Sequence, residues 1–143
     1  MFLGLISAAL EMAGFFWVLH RAGWSPGDPV GKGSALHHAY QQATTMTFVG
    51  MVSCQVGTAF AARTDRVSLR SIGLFSNPAL WWGIAFELVL TAAFIYLPPF
   101  QSLLGTAALP AGDLLFVAPF PFIVWGADEF RRWVVRRRSR ASR

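Results

Sequence analysis

The sequence has few charged residues: Asp, Glu, Lys and Arg make up 13% of its 143 positions, whereas soluble domains average about 25%. It has a single cysteine, Cys54, which excludes a disulfide framework within the chain. No spacing of Cys and His resembles a zinc site, and we interpret the adjacent His37 and His38 as loop residues, so no metal is expected there. Hydrophobic residues reach 55%, and the composition therefore favours a membrane protein.

Four apolar stretches are long enough to cross a bilayer, which takes about 20 helical residues. We place the four helices at about residues 1–20, 43–62, 79–97 and 113–135. Asp113 is the expected N-cap of the fourth helix, and Pro119 and Pro121 should kink it. The sequence thus predicts an all-α, integral membrane four-helix array with antiparallel neighbours over residues 1–135, followed by a basic cytosolic tail, 136–143.

Basic residues are spread unevenly over the loops. Arg21 and Lys32 lie between the first two helices, three arginines lie between the second and third, and seven arginines accompany the end of the fourth. Because Lys and Arg favour the cytosolic side, we expect both termini in the cytosol, in a multi-pass protein of the cell membrane. No folded aromatic and basic platform accompanies the tail, so nucleic-acid binding is not expected.

Polar residues recur along one face of the second helix. This face is formed by Thr44, Thr47, Met51, Gln55, Thr58 and Ala62. An amide is unfavourable in hydrocarbon, so Gln55 should face protein or water. Gln and Thr oxygens can coordinate hard cations, but from these residues alone hydrogen bonding between helices is the preferred interpretation. On another face the small residues Ser53, Gly57 and Ala61 indicate close packing against a neighbouring helix.

Two acidic residues lie inside predicted membrane helices. Glu87 is near the middle of the third helix, where an ionised acid costs about 2.5 to 3.5 kcal/mol on the insertion scale. A cation site and a structural hydrogen bond from a protonated carboxyl both remain open for it. Glu11 raises the same question in the first helix, but we expect it nearer the cytosolic interface and give it less functional weight.

The fourth helix ends in paired charges. Asp128 and Glu129 lie three or four residues before Arg131 and Arg132, so they can pair along the helix and dock its end against the second loop. Adjacent acids on a helix do not face each other, so a catalytic carboxylate pair is not expected. The 143 residues contain no Ser/His/Asp arrangement, no glycine-rich phosphate loop and no Asp-Lys-Thr-Gly phosphorylation motif. We therefore expect that the chain is not an enzyme by itself.

Four stretches carry a family pattern. In chain order they are "GFFWVLHRAGW", "TMTFVGMVSCQVGTAFAARTDRVSLR", "FELVLTAAFIYLPPFQSLLGTAALPAGD" and "GADEFRRWVVRRR". In this order and spacing they resemble the last four helices, the seventh to the tenth, of the P-type cation-transporting ATPases, the group of the calcium pumps and the sodium/potassium pumps.

The resemblance implies candidate cation-binding residues. Gln55 falls where calcium pumps of this family place a Glu ligand and sodium pumps a Gln, and Thr58 falls where sodium pumps have an Asp. Glu87 matches an acid in the ninth helix of sodium pumps, whereas Glu11 matches no ligand. The neutral residues at the first two positions weaken the expectation of divalent-ion binding, and the transported ion stays open.

The resemblance also implies a function. The chain would be a membrane module that supports cation transport and lines part of the ion site, unable to pump alone without phosphorylation and nucleotide domains. Its expected partners are the lipid bilayer and the remaining part of a P-type ATPase; no cofactor is expected, and a transported cation would bind only in a complete pump. The alternative is a stand-alone structural or regulatory membrane protein that binds a larger transporter.

Overall fold

A computed structural model describes residues 2–63 and 77–141. These residues form α1 (Phe2–Arg21), α2 (His37–Arg63), α3 (Pro78–Tyr96), α4 (Pro98–Leu104), α5 (Ala111–Val117) and α6 (Phe120–Ala141). Four spans are long and apolar enough to cross a membrane: α1, nearly all of α2, α3, and α5 with most of α6. The described ranges contain no strand. The predicted all-α array of four membrane helices is confirmed.

The fourth span is interrupted in its middle. Helix α5 ends at Val117 and α6 begins at Phe120, around Pro119. Proline has no N–H, so Pro119 and Pro121 leave the carbonyls of Leu115 and Val117 without their usual helical donors. The predicted distortion at these prolines is therefore present as a break between two helices.

The start of the fourth span differs from expectation. Pro110, in extended conformation, is the N-cap of α5, and Asp113 lies inside the first turn. The prediction of Asp113 as N-cap was wrong because the preceding proline starts the helix earlier. The carboxylate of Asp113 instead contacts Arg21 at the end of α1.

Neighbouring spans run antiparallel. On α2, Met46 packs beside Gly14 of α1, and Gly50, further along α2, packs beside Glu11, which comes earlier in α1. Helices α2 and α3 are aligned in the same antiparallel manner by two aromatic pairs, Phe48 with Phe94 and Phe60 with Trp81. We name the two ends of the bundle after residues that lie there: the Arg21 end and the Arg132 end.

Helix α6 runs in the same direction as α2 and packs closely on it. A Cβ atom added at Gly57 would lie 2.5 Å from the carbonyl oxygen of Pro121 and 2.9 Å from its Cα. Ala61, one turn further along α2, is buried as well. The predicted close packing of this small-residue face is confirmed at Gly57, where the two backbones approach each other directly.

The core lies between α1, α2 and the fourth span. Its fully buried members come from all three, among them Val18, Met46, Val117 and Val124. Helix α3 buries only Ile84, Thr91 and Ile95. Most of the surface of α3 is therefore left for lipid or for other protein.

Candidate functional site

The polar face of α2 is uncovered where the candidate cation ligands lie. Gln55 and Thr58 are exposed on the surface of the bundle. The hydroxyl of Thr58 donates to the carbonyl of Cys54 at 3.0 Å, and that of Thr47 donates to Ala43 at 3.1 Å. The threonines thus bond to their own helix, and the described helices do not cover the amide of Gln55.

Glu87 lies on the face of α3 that turns toward α2. It is half-buried and follows the same helical face as the buried Ile84, Thr91 and Ile95. This placement differs from that of Phe86 on the same helix, which is 70% exposed. Glu87 therefore lies on the side of α3 that packs against protein, whereas most of that helix is exposed.

The aromatic pairs between α2 and α3 set the relative level of these residues. Seven residues separate Phe94 from Glu87, and seven separate Phe48 from Gln55, about 10.5 Å of helix in each case. The two helices are antiparallel, so Glu87 lies at about the level of Gln55. Thr58 lies about one turn nearer the Arg132 end.

A charged cluster joins α6 to the end of α2. Asp128 is 3% exposed and accepts hydrogen bonds from Arg131, at 2.8 Å, and from Nε of Arg132, at 2.7 Å. Arg132 also donates to the carbonyl of Ala61, which belongs to the last turn of α2. Glu129 is half-buried. The second loop, against which docking was predicted, lies mostly outside the described residues.

A second ion pair lies at the opposite end of the bundle. Nη2 of Arg21 donates to Oδ2 of Asp113 at 2.8 Å, and Nη1 lies 2.7 Å from Oδ1. The Asp113 side chain is fully buried, whereas that of Arg21 is 46% exposed. Sequence reasoning missed this pair. The available signal was a basic residue at the end of the first span and an acid at the start of the fourth, which antiparallel helices bring to one end.

The comparison with protein families concerns nearly the whole chain. Residues 1–134 match the family described as "Cation transporting ATPase, C-terminus". The chain belongs to this family. The matched residues include α1, α2 and α3 and all but the end of the fourth span, so the four-helix array is the fold of this family member.

Individual relatives agree with the family. The chain is 33% identical over 96 residues to Calcium-transporting ATPase 1 of Schizosaccharomyces pombe, 67% of this chain and 11% of that protein. It is 25% identical to Potassium-transporting ATPase alpha chain 1 of Xenopus laevis over 94% of this chain and 15% of that protein. It is 30% identical to mouse Calcium-transporting ATPase type 2C member 1 over 70% of this chain and 11% of that protein. The chain thus spans only 11% to 15% of the length of these relatives.

The hydrogen bonds of Arg132 to Asp128 and to the Ala61 carbonyl should stabilise the contact between α6 and the end of α2. Replacing Arg132 with alanine is expected to destabilise the chain by about 1.5 kcal/mol, because charged hydrogen bonds to Asp128 and the Ala61 carbonyl are lost while Arg131 still partners Asp128. The control is Arg137→Ala. The Arg137 guanidinium lies 4.0 Å from the centre of the Trp133 ring, a surface contact worth about 0.5 to 1 kcal/mol. Thermal unfolding in detergent should separate the two variants, and equal losses would contradict the assigned role of Arg132.

Proposed function

We propose that this chain is a membrane module that supports cation transport by a P-type ATPase and contributes Gln55, Thr58 and Glu87 to one side of the ion site. Membership of the family supports the transport role. The observation that carries the site is the position of Gln55 and Thr58, which lie on a face of α2 that the described helices leave uncovered. Exposure of this polar face to hydrocarbon would be unfavourable. We therefore propose that another part of an ATPase covers this face of α2.

The three side chains offer the oxygens that hard cations prefer. Gln55 supplies an amide carbonyl, Thr58 a hydroxyl and Glu87 a carboxylate. Because the Thr58 hydroxyl uses its proton on the Cys54 carbonyl, its lone pairs remain available to a cation. These three ligands carry only one negative charge, from the carboxylate. The remaining ligands of the cation would come from the other part of the ATPase.

The module is proposed not to pump by itself. Its 143 residues contain no Asp-Lys-Thr-Gly sequence to accept a phosphoryl group. Purified chain given radiolabelled ATP is therefore expected to form no acyl phosphate, with or without Na⁺, K⁺ or Ca²⁺. A cation-dependent phosphoenzyme formed by the chain alone would overturn this part of the proposal.

The site is tested through the partner. A tagged copy of the chain is expected to capture from its native membranes a protein that forms a cation-dependent phosphoenzyme. Gln55→Leu and Glu87→Gln should then weaken the cation dependence of that phosphoenzyme by about tenfold, or about 1.4 kcal/mol. Thr47→Ala is the matched control, because Thr47 lies on the same face of α2 more than two turns away.

Two outcomes would contradict the proposal in different ways. Capture of such a partner with unchanged cation dependence in the Gln55 and Glu87 variants would remove these residues from the ion site and favour a structural or regulatory role. Failure to capture any phosphoenzyme would reject the transport module itself.

A further inference from the structure

Three membrane spans meet around Gly50 of α2, where the side chain of Glu11 lies. Its Cγ lies 3.6 Å from the point where a Cβ would stand on Gly50 of α2, and a ring carbon of Phe120 lies 3.4 Å from the same point. Phe120 is the first residue of α6, next to the break in the fourth span. Ser7 lies one turn before Glu11 on α1, and Cys54 lies one turn beyond Gly50 on α2. A carboxyl, a hydroxyl and a thiol are thus gathered where α1, α2 and α6 meet.

The junction lies at mid-depth of the bundle. Glu11 packs against Gly50, which is the central residue of α2. About 20 Å of helix lies on either side of Gly50 in α2, so the junction is far from both ends of that span. At this depth an ionised carboxyl is unfavourable unless a partner neutralises it.

No charge on the described helices offsets that cost. Cys54, one turn beyond Gly50, is the titratable group on this face of α2. On the fourth span the acids Asp113 and Asp128 are seven and eight residues from Phe120 and are paired with Arg21 and with Arg131 and Arg132. None of the ion pairs between described residues involves Glu11. A bound proton is the simplest neutralising partner.

We infer that Glu11 is a proton-binding site, occupied in the membrane, at the junction of α1, α2 and the break between α5 and α6. The ligand is a single proton on the carboxyl, which keeps the junction neutral and able to donate a hydrogen bond. This inference does not depend on the proposed ion site, because it concerns another face of α2 and another helix.

The test uses dicyclohexylcarbodiimide, which reacts with the protonated form of a carboxyl in apolar surroundings. The carboxyl O–H adds across one C=N bond, and no group leaves. The purified chain in lipid nanodiscs is expected to gain this adduct on the peptide that contains Glu11. The labelled fraction should be at least about tenfold lower at alkaline than at mildly acidic pH, since deprotonation removes the reactive form. Peptide mass spectrometry provides the readout.

Matched variants and ions complete the design. Glu11→Gln should abolish the adduct while keeping the thermal stability of the native chain, because the amide has the shape of the protonated acid. Glu129→Gln, in the last third of the fourth span, should leave the labelling of Glu11 unchanged. Absence of labelling at every pH would overturn the inference. Protection by Na⁺, K⁺ or Ca²⁺, but not by choline at equal ionic strength, would also overturn it in favour of a cation site.

Discussion

Replacing Gly57 with alanine is expected to destabilise the bundle by about 1 to 3 kcal/mol, the usual cost of overpacking. Alanine is the better helix former, by about 1 kcal/mol over glycine, so propensity alone predicts the opposite sign. The steric clash outweighs the gain in helix propensity, because the new methyl group would lie 2.5 Å from the carbonyl oxygen of Pro121 and 2.9 Å from its Cα. These are backbone atoms, so relief requires that α6 move away from α2. Leucine at this position should cost more than alanine.

The controls are two other helical glycines that have free space where a Cβ atom would be added. An added Cβ at Gly83 of α3 or at Gly126 of α6 has no atom within 4 Å outside its own helix. Gly83→Ala and Gly126→Ala should therefore be neutral or slightly stabilising. Thermal unfolding followed by tryptophan fluorescence in detergent gives the comparison. If Gly57→Ala melted together with Gly83→Ala, the close approach of α2 and α6 would be refuted.

The features that sequence alone could predict are those set by local composition. Helix length and apolar content fix the four spans, because bilayer thickness demands about 20 residues whatever the neighbours are. Gly57 could be assigned to a packed face, since small residues at four-residue spacing have few other uses in a membrane. Pro119 and Pro121 had to distort the fourth span, because a missing N–H acts within one turn.

The features that could not be predicted depend on residues far apart in the chain. Arg21 and Asp113 are 92 positions apart, and each had a simpler local explanation as a loop charge and a helix cap. The depth of Glu11 depends on its contact with Gly50, at the middle of α2. For Gln55, the sequence established that the amide needs a polar or protein neighbour; only the fold shows that the described helices do not provide it.

The largest loss of stability is expected at the Arg21 end. Replacing Arg21 with methionine should cost about 3 to 5 kcal/mol, because it leaves a fully buried carboxylate on Asp113 without its cation. The methionine keeps much of the apolar stem of the arginine, so lost packing should contribute little. Chemical or thermal unfolding in detergent would measure the difference.

The two partners of this ion pair differ in exposure, so their single variants should differ in the loss of stability. Asp113→Asn should cost less than Arg21→Met, because the Arg21 side chain is 46% exposed and its charge can turn to water. The double variant should recover part of the loss of Arg21→Met, since no buried charge remains to be neutralised. Strictly additive losses would show that the two groups do not interact, and a larger loss for Asp113→Asn would show that burial of the carboxylate is not the dominant cost. Because α1 and α5 meet here through this pair, recovery in the double variant would also identify it as the electrostatic link between the first and fourth spans.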